Sequence, residues 1–291
     1  MRAGVIYPQT EFGSDSIAIR DYAQLAEDLH YTHLEAYDHV LGANPDRPGG
    51  WRGPYTYQTP FQEVFILFAF LSGVTQKLGF MSGILILPQR QTALVAKQAA
   101  TLDVLSSGRF RLGVGLGWNE VEYVALGHDF HTRGRRIEEQ IMVLRKLWTE
   151  PLVEFAGRWE RIEDAGLNPM PIRRPIPIWF GARSEPAVRR AGRLGDGWIM
   201  NYGDPKDAQP VLSALDRGLA ESGRTRDDFV IQARLPYGKG EPQVWEDLVR
   251  RWSEFGATQF SLNTMGAGLQ TPAEHLDAIR RFADSMSLEG D

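Results

Sequence analysis

Short apolar runs alternate with amphipathic stretches of helical period almost from one end of the chain to the other. The runs predict strands near residues 3–8, 32–37, 77–87, 109–116, 176–181, 197–202, 228–235 and 258–263. Helices are predicted between and after them, near 16–30, 60–74, 90–105, 134–149, 185–194, 206–222, 243–255 and 272–286. Ile137, Ile141, Leu144 and Trp148 share one helical face, as do Val244, Leu248, Trp252 and Phe255. Thr271-Pro272-Ala273-Glu274 opens the last helix with an N-cap threonine, proline at the first helical position and a capping-box glutamate. The strands are apolar on both faces, as parallel strands covered by helices are. Eight such repeats without a long linker predict a closed (β/α)8 TIM barrel, one domain over 1–291, and not an open sheet. Two insertions interrupt it. Residues 38–59 follow strand 2, on the side where barrel strands end and active sites are built, and form a candidate lid. Residues 150–175 lie between helix 4 and strand 5, and part of them reads as a hairpin.

The stretch from Lys77 to Trp118 changes this picture most. Gly83 breaks an otherwise strong strand, and Gly113, Gly115 and Gly117 alternate through the end of the next. Glycine inside a strand sacrifices packing and marks a bulge or a close approach to the backbone. Here a bulge would bring the backbone against a flat ring, or the glycine would simply relieve crowding inside the barrel.

Composition narrows the chemistry. The absence of cysteine excludes disulfides, zinc–thiolate sites, iron–sulfur clusters and cysteine nucleophiles. A net charge of −5 gives no general attraction to nucleic acid. The longest apolar run, Val64 to Leu71, is far short of the roughly 20 residues that span a bilayer. The beginning of the chain shows no signal-peptide pattern, so the expectation is a soluble cytoplasmic protein acting on a small-molecule substrate.

Four strand ends carry candidate chemistry. Asp38-His39, just beyond strand 2, suits proton transfer, since histidine titrates near neutrality and a carboxylate can orient it; a loop cap beside an exposed histidine fits the same pair. Ser82-Gly83-Ile84 is the bulge candidate. Gly117-Trp118-Asn119 would border a ring-shaped ligand, or be an ordinary strand exit with Trp118 in the core; Glu120 stands where a dinucleotide fingerprint needs its third glycine. Gly181-Ala182-Arg183-Ser184 leads into a helix whose free amides, with Arg183, make a phosphate cradle. The pairs His30/His33 and His128/His131 lack accompanying ligands and are expected at the surface, and Arg133-Gly134-Arg135-Arg136 is expected on a solvated helix face. No metal site is expected.

Three blocks, Leu87–Tyr123, Arg133–Glu150 and Pro175–Ile199, occur in an order and spacing that resemble the bacterial-luciferase-like flavin and deazaflavin oxidoreductase superfamily over nearly the full chain. The resemblance implies a cofactor ring across the strand ends, backed by a strand-3 bulge, often with a non-proline cis peptide, at Gly83-Ile84. It places the cofactor phosphate at Gly181, Ala182, Arg183 and Ser184. Asp38-His39 matches the pair found near the reactive centre in the branch that uses coenzyme F420, with His39 moving a proton and Asp38 assisting. Deazaflavin sugar-phosphate dehydrogenases of the family carry glutamate where this chain has Trp118, which argues against that substrate. The reading implied is an F420-dependent hydride transfer. A two-component FMN monooxygenase served by a separate flavin reductase is the alternative, and a cofactor-free, non-catalytic barrel the second. The aromatic insertion, with Trp51, Tyr55 and Tyr57, would close over the substrate, and exposed apolar helices would make a homodimer.

Overall fold

The computed structural model describes residues 1–289. In chain order its elements are β1 (Arg2–Ile6), α1 (Ser16–Asp28), β2 (His33–Ala36), α2 (Val64–Ser72), β3 (Gly79–Ser82), β4 (Leu85–Ile86), α3 (Thr92–Leu105) and β5 (Phe110–Gly115). There follow α4 (Glu120–Ala125), α5 (Arg133–Thr149), β6 (Val153–Ala156), β7 (Arg161–Ala165), β8 (Ile178–Gly181), α6 (Glu185–Leu194) and β9 (Gly197–Ile199). The chain ends with α7 (Pro205–Ala208), α8 (Leu212–Glu221), β10 (Val230–Pro236), α9 (Pro242–Phe255), β11 (Gln259–Asn263) and α10 (Pro272–Met286).

The strands β1, β2, β3, β5, β8, β9, β10 and β11 pair in parallel, and the β3–β5 pairing closes them into an eight-stranded TIM barrel. Short β4 continues β3 beyond a break and pairs with β5, while β6 and β7 form the antiparallel hairpin expected within 150–175. The predicted last-helix start is present, with Thr271 and Glu274 capping each other and Pro272 at the first position. No described helix is long and apolar enough to cross a membrane.

The predicted third strand is not continuous. Met81 pairs with Arg111 but Leu85 pairs with Val114, so four steps on one strand match three on its neighbour. The extra residue is a bulge at Gly83-Ile84, whose peptide is cis. A short helix that the apolar pattern had not indicated, α4, leaves the end of β5, and the helix predicted over 206–222 divides into α7 and α8.

The barrel interior departs from the all-apolar expectation. Buried His33, Glu35, Gln232, Gln259 and Ser261 project into it and form one hydrogen-bonded chain. His33 Nε2 meets Ser261 Oγ at 2.9 Å, and Gln232 Nε2 donates to Ser261 Oγ at 3.0 Å and to Glu35 Oε2 at 2.6 Å. Gln259 donates to Gln232 Oε1. Burial, followed by the charges of Arg111 and Arg2, lowers the His33 pKa to about 3, so this imidazole is a neutral member of the network. The surface position expected for His33 is therefore wrong: strand alternation turns it inward.

Candidate active site

At the carboxyl ends of the strands lies a cavity of about 650 Å³, a size suited to a small-molecule ligand. Its lining gathers Asp38 and His39 from after β2, Gly83-Ile84 from the bulge, Gly117 and Trp118 from after β5, and Gly181 to Ser184 from after β8. Of the residues singled out from sequence, Ser82 and Asn119 are not brought to it. Ser82 Oγ donates to the Gly113 carbonyl at 2.8 Å inside the sheet. Asn119 caps α4 through the Val121 amide and ties the first insertion down through the Leu41 carbonyl.

The glycines have a different purpose from close ligand approach. A Cβ on Gly83 would lie 1.9 Å from Glu35 Oε1, and one on Gly113 would lie 1.8 Å from the Ser82 carbonyl oxygen. The Ile84 side chain fills the space left by Gly115 and Gly181, and Ile86 that left by Gly117. The strand-end glycines thus let the bulge pack into its neighbours. Gly83 and Ile84 themselves remain partly exposed to the cavity and form part of its floor.

His39 stands at the rim, edge-on to Phe61, Tyr55 and Trp118 with ring centroids 4.8, 5.1 and 5.4 Å away. Trp118 is 41% exposed and so is not a core residue. Trp51 packs on it at 5.6 Å and donates its indole N–H to the Tyr55 carbonyl, which fixes the insertion's aromatic cluster beside the cavity. Tyr57 is 61% exposed and does not line this cavity.

The carboxylate that orients His39 is Glu122 of α4, and not Asp38. Nδ1 of His39 lies 3.2 Å from both Glu122 oxygens, while Glu122 Oε1 also accepts from the Val40 and Leu41 amides at 2.6 and 3.0 Å. An acceptor at Nδ1 assigns the N–H to that nitrogen, and Nε2 has no partner among the described residues. Asp38 is instead buried, accepting from the Ile86 amide at 3.0 Å and from Arg90 at 2.7 Å. Burial would lower the Arg90 pKa, but the carboxylates of Asp38 and Glu63 outweigh it and hold the guanidinium cationic. Asp38 thus clamps the start of the bulge-to-helix turn.

Sequence reasoning missed Glu122 and also Glu35, which lines the cavity floor against Gly83. Burial raises the Glu35 pKa to about 7, against the weaker lowering by Ser261, Arg234 and Gln232. It also misplaced the basic run: Arg133 lines the cavity with its guanidinium 3.6 Å over Phe130, and Arg136 is only 8% exposed, donating to the Pro88 and Arg90 carbonyls. Arg183 lies over the Tyr202 ring at 5.3 Å, beside the start of α6, where the Ser184 carbonyl accepts from the Ala187 and Val188 amides and Pro186 has no N–H to offer. Among the described residues no group of histidines and carboxylates is arranged to hold a metal.

The chain is 41% identical over 167 residues, 57% of each chain, to an uncharacterized protein of Mycobacterium tuberculosis strain H37Rv. Over 206 residues, 68% of this chain, it is 36% identical to a protein of Intrasporangium calvum named F420-dependent glucose-6-phosphate dehydrogenase. It spans 57% and 59%, respectively, of the length of these curated relatives. An F420-dependent secondary alcohol dehydrogenase, solved with an F420–acetone adduct, superposes with a TM-score of 0.81 over the whole of both chains, at 17% identity, a likeness of fold. The model of the luciferase-like monooxygenase family matches residues 5–287, and the chain belongs to that family.

Proposed function

We propose that the protein is an F420-dependent oxidoreductase that exchanges a hydride between the deazaflavin and a small organic substrate. The observation that carries this reading is one cavity lined by the partly exposed Gly83-Ile84 bulge, by Arg133 and Arg183, and by Ser184 at the start of α6. A bulge of glycine and isoleucine offers an apolar floor for a ring, and two cations with the positive end of a helix suit its phosphate. The name borne by the 36% identical relative favours deazaflavin over FMN for that ring.

When bound, deazaflavin supplies a hydride-accepting carbon in place of the flavin nitrogen N5. The chain's own residues do the rest. Gly83-Ile84 would support the ring and Arg183, at the start of α6, would anchor the phosphate, while Asp38 with Arg90 braces the turn beneath. His39 exchanges the substrate proton at Nε2, with Glu122 holding its tautomer through Nδ1. Tyr55, Phe61 and Trp118 restrict water at the histidine.

Arg183→Met tests the anchoring directly. It is expected to weaken F420 binding about tenfold in a fluorescence titration, with a smaller difference at high salt. Unchanged affinity would remove Arg183 from the site.

A further inference from the structure

We propose that Arg234, braced by Tyr37 and Asn201, holds the carboxylate of an acidic substrate. The inference rests on the reading of the cavity as a ring-and-substrate site, and names the class of substrate that fills its other half.

Three arginines line the cavity, and none has a carboxylate within 4.0 Å among the described residues; each rests on an aromatic face. Arg133 and Arg183 stand by the phosphate cradle. Arg234 does not. It comes from β10, and its guanidinium lies 5.2 Å over the ring of Tyr37, which follows β2. The strands between them are β1 and β11, so this side chain reaches across the barrel mouth. One of its N–H groups donates to Asn201 Oδ1 at 2.9 Å, which steadies the guanidinium and leaves its other donors uncommitted.

The acids that line the cavity are already engaged. Asp38 is paired with Arg90, and Glu35 is turned onto Gln232 at 2.6 Å. Tyr37 offers the guanidinium its ring face, its hydroxyl being buried out of reach of the cavity. A guanidinium fork with free N–H groups and no carboxylate partner among the described residues is a donor set lacking an acceptor. A carboxylate provides two coplanar oxygens for that fork. The neighbouring rings of Tyr37, Tyr55 and Trp118 would receive an apolar or aromatic body. A single cation with one N–H already in use suits a carboxylate better than a phosphate dianion.

The test uses the protein saturated with F420 and three probes, benzoate, benzamide and phenyl phosphate, titrated by calorimetry. Benzoate is expected to bind about tenfold tighter than benzamide and tighter than phenyl phosphate. Arg234→Met should erase the preference, Tyr37→Phe, which keeps the ring beneath the guanidinium, should retain it, and Arg183→Met should keep it while weakening F420. If Arg234→Met does not fold, Arg234→Lys decides: the planar fork is lost and the preference should fall by about threefold. Equal binding of benzoate and benzamide to the native protein, a preference that survives loss of the guanidinium, or tightest binding of phenyl phosphate would each overturn the proposal. A protein that fails to bind F420 but keeps the benzoate preference would refute the cofactor reading and leave this one standing.

Discussion

Replacing His39 with alanine is expected to lower turnover about 100- to 10,000-fold, the range that a positioned general acid–base contributes, with little change in deazaflavin affinity. His39 packs on Tyr55, Phe61 and Trp118 and pairs with Glu122, so the change should fall on kcat and not on cofactor binding. The geometry gives the loss a second signature. Glu122 fixes the tautomer, so Glu122→Gln, which can present an N–H to Nδ1, should also depress turnover and shift its pH profile while leaving His39 in place. Stopped-flow measurement of the deazaflavin absorbance separates these effects from binding. Turnover that is unchanged in His39→Ala would remove the residue from the mechanism.

Glu35→Gln should alter the pH dependence of stability by about 3 kcal/mol, the worth of a shift from 4.5 to about 7. The sign follows from proton binding. Folded, Glu35 keeps its proton up to about pH 7; unfolded, it releases it near 4.5. Between these values the folded state holds more protons, so this group's contribution to stability is full below pH 4.5 and is lost as pH rises through 7. Glutamine has no proton to lose and can still accept from Gln232. The variant should therefore lose less stability than the native protein between pH 5 and 8, measured by urea unfolding at each pH. Parallel curves for the two proteins would show that Glu35 is not held protonated.

Gly83 shows how far the chain could be read before its structure. Its place at a break in the third strand was legible, because glycine interrupts an apolar run there. Its purpose was not. The missing Cβ leaves room for Glu35, a partner 48 positions earlier whose approach depends on the barrel closing. For that reason a larger residue at Gly83 would displace a buried carboxyl and could not report on the cofactor alone. The eight strands were legible from apolar runs of the right length, because that is a local pattern. Glu122 was hidden for the opposite reason. It lies two residues into a helix of six residues, too short to show a period, and only the fold carries it to His39, 83 positions back. Polar residues inside predicted strands, His33 and Glu35 in HLEA and Gln232 and Gln259 further on, were the local sign of the polar barrel interior. Arg133 and Arg136 read as a solvated face because a basic run at a helix start usually is one; here the preceding loop folds the helix start onto the cavity.

The central claim is that this cavity binds deazaflavin. Side-by-side fluorescence titration of the purified protein with F420 and with FMN tests it most directly. Saturable binding of one F420 per chain, tighter than that of FMN, is the predicted result; tighter binding of FMN with oxygen-dependent turnover, or no binding of either, would contradict it.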